Sequence, residues 1–367
     1  MTRRRLAISA EPLTARHDVA LLDLDGVVYR GPDPIAGAVD HLAAAGAAGM
    51  QLGFVTNNAS RPPREVAEHL RGLGIDLRDH DVVTSAQAAA RLVAAEVPAG
   101  SQVLVIGGPG LVEALAEHDL LACSSLDDGP AAVVQGFHRS VGWEMLAEGA
   151  YAVATGLPWV ASNLDRTVPT PRGIAPGNGT LVAVIQAATG VAPVVAGKPE
   201  PALVRESVLR TGADRPLMVG DRLDTDISGA SRYPMPSLLV LTGVTSLPDL
   251  LAAEGDERPD FVAADLAGLV TRHPEVMDAG PATATCGGWT ARVDDGQLRL
   301  RPSVPGDSPD DEPVNAPVDA PGDAPGAGVA ALRAVVAAGW AARDSGAAEV
   351  GLGSVAQQLD ELASAPP

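Results

Sequence analysis

Between residues 19 and 272, short apolar runs alternate with stretches of helical spacing, and no other feature limits the fold of this 367-residue chain so tightly. Residues 19–24 are apolar except for one late acid, Asp23, as in a strand that is buried on both faces and ends at a site. Further strands are predicted over 51–56, 102–106, 131–135, 158–161, 194–196, 217–220, 237–241 and 261–263. Helices are predicted between them, over 36–48, 62–72, 86–96, 111–118, 143–155, 180–188, 201–210 and 225–231. Such alternation implies an α/β fold, a doubly wound parallel-sheet core of Rossmann-like order, with ligands beyond the carboxyl ends of the strands. The pattern divides into a core over 17–84 and 195–274, an inserted second α/β set over 85–194, and a small C-terminal appendage over 275–302 and 327–367. In the appendage, residues 289–300 alternate like a hairpin and 328–342 read as a helix. Residues 303–326 are rich in Pro, Asp, Gly and Ala and read as an acidic, flexible linker.

The formal net charge is −20, which argues against a nucleic-acid partner or an anionic membrane. An anionic substrate then needs local positive charge from a metal, a lysine or backbone N–H groups. Part of the acidity is remote from any such site, since Asp307, Asp310, Asp311, Glu312, Asp319 and Asp323 fall in the linker. Hydrophobic residues make up 46% of the chain but aromatics only 3%, so the core must be built from Ala, Val, Leu and Ile. Cys123 and Cys286 lie far apart and form neither a disulfide framework nor a zinc spacing, which suits a reducing cytosol. The start, Met1-Thr2-Arg3-Arg4-Arg5, is not followed by an apolar stretch long enough for a signal peptide, and no apolar run is long enough to span a bilayer. A cytoplasmic location is expected.

Four short motifs fall at predicted strand ends. They are Asp23-Leu24-Asp25-Gly26-Val27, Phe54-Val55-Thr56-Asn57-Asn58, Ala196-Gly197-Lys198-Pro199 and Val219-Gly220-Asp221-Arg222-Leu223-Asp224-Thr225-Asp226. Singly, each is explained by a turn, a helix cap or a surface lysine. Together they bring Asp23, Asp25, Thr56, Lys198 and Asp221 to one sheet edge, a set with every part a phosphoryl transfer needs. Phosphate esters hydrolyse very slowly in water, and a carboxylate such as Asp23 divides the reaction into two easier steps through an aspartyl-phosphate. Mg²⁺, held by Asp23, Asp221 and the Asp25 carbonyl, would neutralise the phosphoryl charge. Lys198, the Thr56 hydroxyl and the Asn57 N–H would bind phosphoryl oxygens. Asp25 would give a proton to the leaving alkoxide and then take one from water. Asp226 would act from outside the metal shell, orienting its waters or Lys198.

These motifs resemble the four of the haloacid dehalogenase superfamily. The asparagine pair after Thr56 and the Gly-Asp-x-x-x-Thr-Asp form at Gly220 are similar to its p-nitrophenyl-phosphatase-like branch. That resemblance, over about residues 17–272, implies a large α/β cap between the second and third motifs, here 85–194. Within the branch, stretches 21–26, 55–61, 81–87, 132–136 and 241–244 resemble the actinobacterial D,L-glycerol 3-phosphate phosphatases. The resemblance implies a phosphoric monoester hydrolase that turns glycerol 3-phosphate into glycerol and phosphate. It also implies a C-terminal extension with an acetyltransferase-like look, from which the Pro/Asp-rich insert departs. No acyl-CoA pyrophosphate loop is visible, and no acyl transfer is carried over.

The cap is expected to choose the substrate. Asn163 and Asp165 could bond the hydroxyls of a polyol, or could form an Asx-turn and a helix cap. Gly177-Asn178-Gly179 could offer N–H groups to an anion. Gly107-Gly108-Pro109-Gly110 lacks nucleotide-binding spacing and reads as a βα turn. Trp143 and Trp159 read as core residues. Phosphoglycolate, sugar phosphates and nucleotide monophosphates are alternative substrates. A dehalogenase would not need Asp25, and a phospho-accepting receiver domain would not carry the inserted set. A homodimer through the cap is a further possibility.

Overall fold

The computed structural model describes residues 5–170, 172–303 and 326–364. Apart from Ser303 and Gly326, the expected linker lies outside the described residues. The chain forms two compact units, one of residues 1–51 and 215–367 and the other of residues 52–214.

In the first unit four parallel strands stand in the order Phe261–Ala263, Ser237–Val240, Pro216–Gly220, Val19–Leu22. The three other than Pro216–Gly220 are buried at every residue, as a sheet covered on both faces requires. Leu22 pairs with Val219 and Gly220 with Leu239. The chain therefore leaves these strands on one edge and nearly level, at Asp23, Asp221 and Leu241. The Asp23 N–H donates to the Val219 carbonyl at 2.9 Å, carrying the ladder one residue past the strand. After Gly220 the chain makes one wide π-helical turn, Leu223–Ile227, before the α-helix Ser228–Arg232. Such turns recur at functional sites. Here the turn folds Asp226 back over the strand end: a Cβ on Gly220 would lie 2.2 Å from the Asp226 Cβ.

The C-terminal part of this unit is a four-stranded antiparallel meander, Met277–Gly280, Thr283–Cys286, Trp289–Asp294 and Gln297–Pro302. The helix Ala327–Asp344 lies on its two central strands. Ala330, Ala331, Ala334 and Ala338 keep that helix slim enough for close approach, and a Cβ on Gly339 would stand 2.6 Å from Leu251. Leu239 and Val262 of the parallel sheet belong to the same apolar cluster as Trp289, Leu300, Val335 and Trp340.

In the second unit Gln51–Thr56, whose first residue belongs to the other unit, pairs in parallel with Val82–Thr84, setting Thr56 opposite Thr84. Thr84 and Gln87 then cap the buried helix Ser85–Glu96, with the Thr84 N–H donating to Gln87 Oε1 at 3.1 Å. A five-stranded parallel sheet follows, in the order Val194–Val195, Trp159–Ala161, Ala132–Gln135, Gln102–Ile106, Leu121–Cys123. Helices Trp143–Ala154 and Asn178–Thr189 pack Leu146, Val153, Val182 and Ile185 against Ile106, Val133 and Trp159. Trp159 is buried as expected, but Trp143 is 76% exposed. It is the first residue of its helix, three residues before the buried Leu146. Among the described residues no helix is long and apolar enough to cross a membrane.

Candidate active site

The first unit gathers acids. Asp23, Asp221 and Asp226 each bring one carboxylate oxygen to within 4.8 Å of the others. Asp221 and Asp226 are fully buried and Asp23 is half-buried. Like charges so close and so far from water repel strongly, and a hard cation among hard oxygens relieves them. The donor set fits Mg²⁺. The surrounding backbone is shaped to Asp221: a Cβ on Gly243 would lie 1.8 Å from its Oδ2, and a Cβ on Gly26 2.4 Å. Gly26 also has φ +89°, which side chains disfavour. The Val244 N–H donates to Asp221 Oδ2 at 2.6 Å, and the Arg222 N–H to Asp226 Oδ2 at 3.1 Å. The Thr242 hydroxyl donates to the Gly26 carbonyl at 2.6 Å and ties the loop after Asp25 to the 241–245 loop. Asp25 itself is exposed, on a tight turn where the Leu24 carbonyl accepts the Val28 N–H at 2.9 Å. Asp226, expected to act from outside the metal shell, brings a carboxylate oxygen to within 4.8 Å of those of Asp23 and Asp221.

The second unit carries the expected phosphate-binding groups. Thr56 is buried at the end of its strand, with Oγ1 accepting the Asn58 N–H at 3.1 Å. Lys198 follows Val194–Val195 and is only 3% exposed, so its side chain does not run out into bulk water. Asn57 lies between them and bonds the Lys198 backbone through both atoms of its carboxamide. Asn163 closes an Asx-turn, accepting the Asp165 N–H at 3.1 Å, and donates to the Asn57 carbonyl at 2.7 Å. The Gly177 and Gly179 N–H groups go to the Arg166 and Asp165 carbonyls, at 2.8 and 2.9 Å. That glycine pair serves close packing, since a Cβ on Gly179 would lie 2.1 Å from the Leu164 carbonyl. Gly110 likewise packs against the Ala59 carbonyl, as a βα turn does.

Other buried charges are structural. Glu206 is fully buried and takes Arg91 and Arg210 as partners. Burial pushes its carboxyl upward, but the bonds from the two arginines outweigh it and the net shift is downward. His273 is buried with Nε2 donating to the Gly268 carbonyl at 2.9 Å, and burial lowers its pKa to about 4. The groups that spacing alone missed are Gly243 and the Val244 N–H. In the sequence they fall in stretch 241–244, which enters only through the family resemblance.

A family model described as haloacid dehalogenase-like hydrolase matches residues 20–121, and a second, HAD-hydrolase-like, matches 195–269. The D-glycerol 3-phosphate phosphatase of Mycobacterium tuberculosis is 44% identical over 288 residues, 78% of this chain and 79% of that protein. A crystal structure of glycerol phosphate phosphatase from Mycobacterium tuberculosis in complex with magnesium superposes with TM-score 0.79 at 38% identity, covering 96% of this chain and 99% of that one. That match takes in the C-terminal appendage. The p-nitrophenyl phosphatase from Archaeoglobus fulgidus superposes with TM-score 0.63 at 29% identity, over 69% of this chain and 98% of the other.

Proposed function

The chain belongs to the haloacid dehalogenase-like hydrolase family, and from that premise we propose that it is a Mg²⁺-dependent phosphatase of small phosphorylated metabolites, with glycerol 3-phosphate as substrate. The observation that carries the reading is the convergence of Asp23, Asp221 and Asp226 at one strand edge. The choice of substrate is supported by the activity named for the 44% identical relative.

Asp23 is the nucleophile: its carboxylate attacks phosphorus, an O–P bond forms, and the bond to the glycerol oxygen breaks. Asp25 gives its carboxyl proton to that leaving oxygen. A water then attacks the aspartyl-phosphate, Asp25 takes the water's proton, and phosphate leaves as Asp23 is regenerated. Asp23, Asp221 and the Asp25 carbonyl would hold the metal, with Asp226 beside them. Bound there, Mg²⁺ supplies positive charge that offsets both the carboxylates and the phosphoryl oxygens. Thr56 Oγ1, the Asn57 N–H and the Lys198 ammonium bind the phosphoryl oxygens, keeping charge neutralisation from resting on the metal alone. The exposure of Asp25 suits a group that must meet both an alcohol and a water.

A homodimer through the second unit is part of the proposal. Trp143 and Tyr151, two turns apart on one helix, are 76% and 54% exposed and would be covered by it. Sedimentation at micromolar concentration tests this: a monomer removes the dimer and leaves the chemistry standing.

The test of the function is phosphate release from glycerol 3-phosphate, phosphoglycolate, a hexose phosphate and a nucleoside monophosphate, with Mg²⁺ and with EDTA. Glycerol 3-phosphate is expected to give the highest kcat/KM and EDTA to abolish turnover. A higher kcat/KM for another ester replaces the substrate. Activity in EDTA overturns the metal role.

A further inference from the structure

Asn57 bonds more of the second unit than its place beside Thr56 implies. Its Oδ1 accepts the Lys198 N–H at 2.9 Å, and its Nδ2 donates to the Lys198 carbonyl at 3.1 Å. Nδ2 also faces the Asp165 carboxylate, at 3.3 Å from Oδ2 and 3.5 Å from Oδ1. The Asn57 carbonyl accepts Asn163 Nδ2 at 2.7 Å and the Ser85 hydroxyl. One residue thus joins the lysine loop, the 163–165 loop and the start of the helix Ser85–Glu96. The approach is close, since a Cβ on Gly197 would lie 2.7 Å from Asn57 Oδ1 and 2.6 Å from the Ser162 carbonyl.

Bonds to both the N–H and the carbonyl of one residue fix the peptide planes on either side of it. They therefore fix the direction in which its Cα–Cβ bond leaves. This matters for lysine, a point charge on a flexible stem that reaches a set position only when its base is held. The carboxamide could meet Lys198 in two orientations. If it were flipped, Nδ2 would face the Lys198 N–H, and Oδ1 would face the Lys198 carbonyl and the Asp165 carboxylate together. That sets donor against donor and acceptor against two acceptors.

We propose that the Asn57 side chain is a positioning residue for Lys198, and that the Asp165 carboxylate holds the Asn57 amide in the one orientation that meets both Lys198 groups. The inference rests on the reading of Lys198 as a phosphate-binding group. It gives Asp165 a role other than contacting the hydroxyls of a polyol.

The test compares wild-type full-length chain with Asn57→Ala, Asn57→Asp and the double variant Asn57→Asp, Asp165→Asn. Each is assayed for turnover of glycerol 3-phosphate and of p-nitrophenyl phosphate, for competitive inhibition by inorganic phosphate, and for thermal unfolding. Asn57→Ala is expected to fold and to lose about 100-fold in kcat, the order of effect of a ~1 Å misplacement of a catalytic group. Its inhibition by inorganic phosphate should weaken by about tenfold, a change that a loss of stability alone would not give. Asn57→Asp sets carboxylate against carboxylate and should lose at least as much. Adding Asp165→Asn restores a donor to the pair and should regain about tenfold over Asn57→Asp. Wild-type kcat and phosphate inhibition in Asn57→Ala would overturn the proposal. So would a double variant no better than Asn57→Asp, and that arm stands even where Asn57→Ala fails to fold. A wild-type chain that hydrolyses neither ester would overturn the phosphatase reading and the positioning role with it, whereas failure of the positioning role alone leaves the wild type active.

Discussion

The parallel sheet and the C-terminal meander of the first unit share one apolar cluster, yet they bury charge in opposite ways. At the strand ends three carboxylates of like sign crowd together. Around the appendage helix the buried charges are two arginines, Arg333 of the helix and Arg258 of the core. Arg333 Nε donates to the Pro274 carbonyl at 3.0 Å and Nη2 to the Ala7 carbonyl at 2.7 Å. Arg258 forks onto Asp344 at 2.7 and 3.1 Å and lies 4.8 Å from the Trp340 ring. The arginines tie distant segments of chain to one helix and stabilise the fold. The carboxylates bring oxygens within 4.8 Å of one another, an arrangement that a divalent cation favours and that packing alone does not require. The difference teaches where to look for chemistry: at buried charges of one sign drawn close together, rather than at those spread singly through the fold.

The largest expected effect is on Asp23. Asp23→Asn should lower turnover by about 10⁴-fold or more, as the loss of a nucleophile does. Its melting temperature in EDTA should hold or rise, because one repelling charge is gone. A fall of several degrees would break the comparison. Next in size, Arg333→Met should cost about 4 kcal/mol in urea unfolding, since the Pro274 and Ala7 carbonyls both lose a charged donor. The turnover of the remaining folded enzyme should not change.

A third prediction concerns His273, whose pKa falls to about 4 in the fold because burial disfavours the imidazolium. The unfolded chain, with the ordinary value near 6.5, binds the proton first. Stability should therefore be full above pH 6.5 and decline as the pH falls toward 4, by about 3 kcal/mol for this residue. His273→Gln should flatten that slope in a series of unfolding curves. The smallest effect expected is from the metal. Mg²⁺ at a hundredfold excess over its Kd should stabilise the wild type by ~2.7 kcal/mol. Calorimetry should find less in Asp221→Asn, and an equal gain would place the ion elsewhere.

Much of this site is legible in the sequence because its parts are local. Strands Gln51–Thr56, Gln102–Ile106 and Phe261–Ala263 fall where apolar runs end in turn residues, and an acid directly after such a run lands on the sheet edge. What is not legible depends on contacts between distant residues. The Gly243 cradle around Asp221 is invisible until the 241–245 loop is folded against it. The placement of Asp226 depends on a wide turn that helical spacing does not announce. The hairpin Thr167–Thr170 with Gly173–Pro176 has prolines in both strands and no buried face, so neither period nor propensity reveals it. The first two strands of the meander are short and carry glycine and proline at their junction, and their pattern becomes clear only beside the helix Ala327–Asp344.

The most direct test is to stop the reaction with acid during turnover of glycerol 3-phosphate and map the phosphorylated peptide by mass spectrometry. A phosphoryl group on Asp23, absent from Asp23→Asn, is the expected result. Label on another residue, or full turnover by Asp23→Asn, would contradict it.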